Sequence, residues 1–79
     1  MTFLRAKDPE DNLCLVDTKD LGPIILMKYD HREPQYAIRA WVREEDHWVT
    51  FGEFETEAAA LSKFGQIERV ANGGQERGS

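Results

Sequence analysis

The chain has 79 residues, 41% of them hydrophobic and 32% charged, and its ten basic and fifteen acidic side chains leave a net charge of −5. That length holds one domain whose core is near the lower limit of self-sufficiency, and the apolar fraction with eight aromatics excludes a wholly disordered chain. The acids are spread along the whole chain and no segment forms a basic block, so generic binding to a nucleic-acid backbone is disfavoured.

"TFLRA" near the N-terminus is a candidate fifth strand, and the first twelve residues lack the apolar stretch of a signal peptide. "KDPEDN" (7–12) reads as an exposed turn and "LCLVDT" (13–18) as a short strand. Cys14 is the only cysteine, which excludes an internal disulfide and a cysteine-rich zinc site and fits a reducing, cytoplasmic setting. "KDLG" (19–22) is a second turn. "PIILMKYD" (23–30) is a stronger strand, with Pro23 at its first position, where no ladder hydrogen bond is lost. "PIILM" is too short to span a bilayer, so no membrane partner is expected.

After a break at "HREPQ" (31–35), "YAIRAWVR" (36–43) alternates cleanly, with Tyr36, Ile38, Ala40 and Val42 on one side and Ala37, Arg39, Trp41 and Arg43 on the other. "EED" (44–46) connects it to "HWVTFGEF" (47–54), the return arm of a hairpin. Thr56 is placed to cap a helix over 57–71, in which Leu61, Phe64, Ile67 and Val70 recur at helical spacing with Ala60 and Ala71 beside them. "NGG" (72–74) is a stop signal, so the domain spans 1–74 and residues 75–79 read as a disordered tail. The expected fold is α+β: an antiparallel meander of four or five strands with one C-terminal helix packed on one face.

One helix covers one face of a sheet. The aliphatic face of the hairpin goes under the helix, and the opposite face is left over. A two- or four-residue loop at the hairpin tip buries Val49 and Phe51 and exposes Trp48 and Thr50; a three-residue loop reverses this. In either register Arg39, Trp41 and Arg43 lie on the left-over face. Tryptophan and arginine are the residue types enriched at binding hot spots. The competing reading is that a neighbouring segment, or a second copy in a homodimer, covers this face.

Other chemistry is thin. His31 and His47 sit at strand ends beside acids, where solvated polar residues are ordinary, and neither has the ligand set of a metal site. Cys14 lies in an apolar run that reads as core. The acidic groups Asp8–Glu10–Asp11, Glu44–Glu45–Asp46 and Glu53–Glu55–Glu57 fall on turns and edges and suit rim contacts to a basic partner better than acid–base catalysis. No phosphate-binding loop is present. The expectation is a non-enzymatic protein-binding module without a cofactor. Its predicted contact residues are Arg39, Trp41, Arg43, Trp48, Glu44, Glu45, Asp46, Glu53 and Glu55.

"HWVTFGEFETEAAALSKF" (47–64) resembles the strand–strand–helix segment of the AP2-like DNA-binding domains of phage integrases, with Trp48, Gly52, Phe54, Thr56 and the run Ala58–Ala60 at the corresponding positions. That resemblance covers about a quarter of the chain and implies DNA binding through the sheet face. The family reads DNA from a basic face, whereas this hairpin has only Arg39 and Arg43 among several acids. In size, charge and single-domain build the chain is also similar to small acidic phage proteins such as anti-CRISPR proteins. Those proteins bind a nuclease effector, and the likeness implies a protein partner with a basic surface.

Overall fold

The stretches with period-two alternation or a short apolar run form strands, and the capped stretch with helical spacing forms the helix. The computed structural model describes residues 3–71. Its elements are β1 (Phe3–Lys7), β2 (Leu13–Asp17), a single 3-10 turn (Thr18–Asp20), β3 (Leu21–Lys28), β4 (Tyr36–Val42), β5 (His47–Phe54) and α1 (Glu57–Ala71). The fold is α+β, an antiparallel five-stranded sheet with one C-terminal helix, and the N-terminal segment supplies the fifth strand. The stop signal at 72–74 and the tail at 75–79 lie outside the described residues. No helix among those residues is long and apolar enough to cross a membrane.

The strand order is β2-β1-β5-β4-β3, so the sheet is not the simple meander expected from chain order. β1 lies inside the sheet, between β2 and the central β5, and β2 and β3 become the two edges. In a flat five-stranded sheet those edges would stand about 19 Å apart, four spacings of roughly 4.8 Å. The connection from Asp17 to Leu21 spans at most about 14 Å even when fully extended, and its 3-10 turn shortens it further. The sheet must therefore curl, with its concave side inward. Consistent with this, a groove is lined both by β2 (Cys14–Asp17) and by the far hairpin end (Val42, Glu44, Glu45, His47).

The concave side holds the core. Leu4 and Ala6 of β1, Leu21 of β3, Ile38, Ala40 and Val42 of β4, Val49 of β5 and Ile67 of α1 form one buried cluster. Thr56 caps the helix: its Oγ1 accepts from the Ala59 N–H at 3.2 Å and its carbonyl from the Ala60 N–H at 3.2 Å. Two packing expectations are corrected. Leu61 is 54% exposed, while Ala60 and Ile67 are buried and Phe64 and Val70 pack against the core. At about 100° per residue the buried stripe centres on 60, 64 and 67, which turns Leu61 out of it. Pro23 sits third in β3 rather than first, inside the register shift between Leu21 and Ile24. An edge strand tolerates it there.

Two turns close the same end of the sheet. In the first, Asp8 accepts at one carboxylate oxygen from the N–H groups of Asn12 at 2.8 Å and Glu10 at 3.0 Å, and Asp11 takes a left-handed φ of 71°. The Asn12 N–H, helped by that of Glu10, holds the Asp8 carboxyl below its ordinary pKa. A group whose pKa is lower folded than unfolded adds stability above its unfolded pKa and loses it as pH falls through the folded value. In Asp8→Ala, melting measured across pH is therefore expected to lose part of its acid-side slope. An unchanged slope would show that this turn is not coupled to folding.

Candidate functional site

The β4–β5 hairpin has a four-residue tip. Trp41 faces Trp48, Val42 faces His47 and Ala40 faces Val49, and the Asp46 N–H closes the turn on the Val42 carbonyl at 2.8 Å, with Asp46 at a φ of 60°. Of the two registers open in the sequence, this one buries Val49 and exposes Trp48. A bulge at Phe51 then lets the strand carry both Thr50, opposite Arg39 and outward, and Gly52, opposite Ile38 and inward. Phe51 packs against the core, and the ring of Phe54 lies directly over Gly52, where an added Cβ would come within 2.7 Å of it. The glycine–phenylalanine pair of the integrase-like segment thus has a packing role here.

On the convex face, opposite the helix, Trp41 and Trp48 meet edge to face, with ring centroids 5.4 Å apart. The Arg39 guanidinium lies 5.8 Å from the centre of the Trp48 ring. Its Nη1 reaches the Tyr29 hydroxyl only at 3.4 Å, and its buried Nε has no hydrogen-bond partner. The same face runs across every strand. By register, Leu13, Lys7, Thr50, Arg39 and Ile25 form one row through β2, β1, β5, β4 and β3. Phe3, Leu13, Leu15, Ile25 and Trp48 are all exposed, and all five point outward from this sheet; among the described residues the sixth exposed large apolar residue is Leu61 of the helix.

The predicted contact residues divide. Arg39, Trp41 and Trp48 come together on the convex face. Arg43 leaves it: it is the first residue after β4, and its Nη2 donates to the Leu21 carbonyl at 2.6 Å, tying the hairpin tip to β3. Glu44, Glu45 and Asp46 form the exposed tip, where Glu45 lies 3.5 Å from the His47 Nε2. Glu53 is on the convex face but is held by Arg32 at 2.7 Å, and Glu55 is exposed just beyond β5. Ala37 faces outward yet is 2% exposed, flanked in the ladder by Met27 and Glu53.

Sequence reasoning missed the part of this face supplied by β1 and β2: Phe3, Arg5, Lys7, Leu13 and Leu15. The signal was there in "FLRAK", whose alternation separates Phe3, Arg5 and Lys7 from the buried Leu4 and Ala6. Among the described residues no group of acids, histidines and cysteine is arranged to hold a metal ion. Burial, and then the charges of Asp8 and Glu45, push the Cys14 thiol up in pKa, away from the thiolate that a nucleophile needs. No family model, curated protein or solved structure matches this chain.

Proposed function

We propose that this protein is a non-enzymatic binding module that docks a larger protein on the convex face of its sheet, with Trp48, Trp41 and Arg39 as the anchor. The observation that carries the reading is the concentration of exposed Phe3, Leu13, Leu15, Ile25 and Trp48 on the one sheet face without a helix. Large apolar surface of this kind costs free energy in water, and a partner that buries it recovers that cost. An edge-to-face tryptophan pair with an arginine beside it supplies area and directed donors together.

The net charge of −5 and the acidic turns at 8–11 and 44–46 favour a partner with a basic surface. A nuclease effector whose nucleic-acid channel is blocked by a small acidic phage protein, as in anti-CRISPR inhibition, fits that description. In this reading the acidic turns form the rim and mainly speed association.

DNA binding, implied by the integrase-like segment, makes a different prediction. A random duplex titrated at several salt concentrations is expected to show no micromolar affinity, because the acidic turns repel a polyanion. Micromolar binding that weakens steeply with salt would overturn the protein-docking reading, since phosphate neutralisation would then dominate.

A further inference from the structure

We infer that the opening between β1 and β5 is an oxyanion site that receives a carboxylate side chain of the partner; this rests on the convex face being the docking surface. β1 and β5 share a single ladder pair, Lys7 with Thr50, and the bulge at Phe51 draws β5 aside next to it. The result is a pocket of about 480 Å³ to which Arg5, Lys7, Arg39 and Lys63 contribute four cations. Gly52, just past the bulge, also lines it.

Its acids are already engaged. Asp8 accepts from two backbone N–H groups, Asp11 pairs with Lys7 at 3.5 Å, and Glu53 pairs with Arg32 at 2.7 Å. Among the described residues Arg5, Arg39 and Lys63 have no carboxylate within 4.0 Å. The Arg39 guanidinium makes only one long contact, from Nη1 to the Tyr29 hydroxyl at 3.4 Å, so its terminal donors are weakly engaged. Three cations without a paired anion, one each from β1, β4 and α1, thus line the same opening, a lining that suits one oxyanion. A guanidinium presents paired donors to a carboxylate or a phosphate alike.

The surroundings select between these. A single carboxylate on a protein enters without bringing further negative charge near the acidic turns, whereas a nucleic-acid strand brings a row of phosphates against them. Leu13, which also lines the opening, adds apolar contact for the stem of a glutamate or for a flanking side chain. Net acidity thus steers the partner from a distance, and the pocket grips one of its acids on contact.

The test is an NMR titration of the ¹⁵N-labelled full chain with acetate and, separately, inorganic phosphate, against chloride at matched ionic strength. Acetate is expected to move the Gly52 amide and the side-chain N–H groups of Arg5 and Arg39 along saturable curves. Arg5→Gln should weaken acetate binding about tenfold, and Arg39→Lys, which keeps the charge and loses the fork, should also weaken it. Arg5 is exposed, so its variant reports on the site even if replacing Arg39 perturbs the fold. Leu61→Ala, on the helix and outside the pocket lining, should leave acetate binding unchanged. Acetate binding is read without the partner, so its failure would leave the docking reading standing. Shifts that match those with chloride would overturn the assignment. So would saturable binding of phosphate without acetate, which would assign the pocket to a phosphate polymer.

Discussion

Trp48→Ala is expected to weaken partner binding at least about 30-fold, the hot-spot threshold of roughly 2 kcal/mol, while the protein stays folded. Trp48 is 37% exposed and sits outside the buried cluster, so its removal opens no core cavity. What the fold loses is the edge-to-face contact with Trp41, worth about 0.5–1.5 kcal/mol beyond area. In a domain of this size that lowers Tm by about 4–8 °C per kcal/mol. Calorimetry on the same sample used for binding separates the two effects. A loss of binding that tracks a loss of fold would remove the anchor role.

The opposite pattern is expected at Ile38. Its side chain is fully buried between β4's neighbours and the helix side of the sheet. Ile38→Ala removes those methyl groups and leaves a cavity, at a cost of about 2–5 kcal/mol. A domain of 79 residues has a total stability of only about 4–12 kcal/mol, so the variant is expected to melt far below the parent or to be largely unfolded. Denaturant melts measure this directly. A cost under about 1 kcal/mol would mean that the concave side does not close around Ile38.

The local elements were legible because their signals are local. Thr56 ends the strand and starts the helix, and the alternation of residues 36–42 sets its own two faces. The hairpin register was not, because it turns on loop length, and the four-residue tip depends on Asp46 accepting a left-handed backbone. Strand order was less legible still. β1 joins β5 through one ladder pair 43 residues away, Lys7 with Thr50, and no local pattern encodes that contact. The consequence reaches the site: the long-range β1–β5 contact brings two of the five strands, with Arg5 and Lys7, onto the convex face. The alternation that would put Arg43 on this face stops at Val42, where the turn begins. Helical spacing of large apolar residues points to Leu61, but the buried stripe follows Ala60, whose small side chain lets the helix approach the sheet.

The most direct test of the convex face as docking surface is site-specific photo-crosslinking in the cells that naturally make this protein. A photoreactive phenylalanine analogue is placed singly at Leu15 and Ile25 on the sheet face, and at Leu61 and Glu68 on the helix, all of them exposed positions. The account predicts that both sheet positions capture the same larger protein, that Trp48→Ala abolishes the capture, and that neither helix position captures it. Capture from the helix positions alone, or only of a second copy of this chain from the sheet positions, would contradict it.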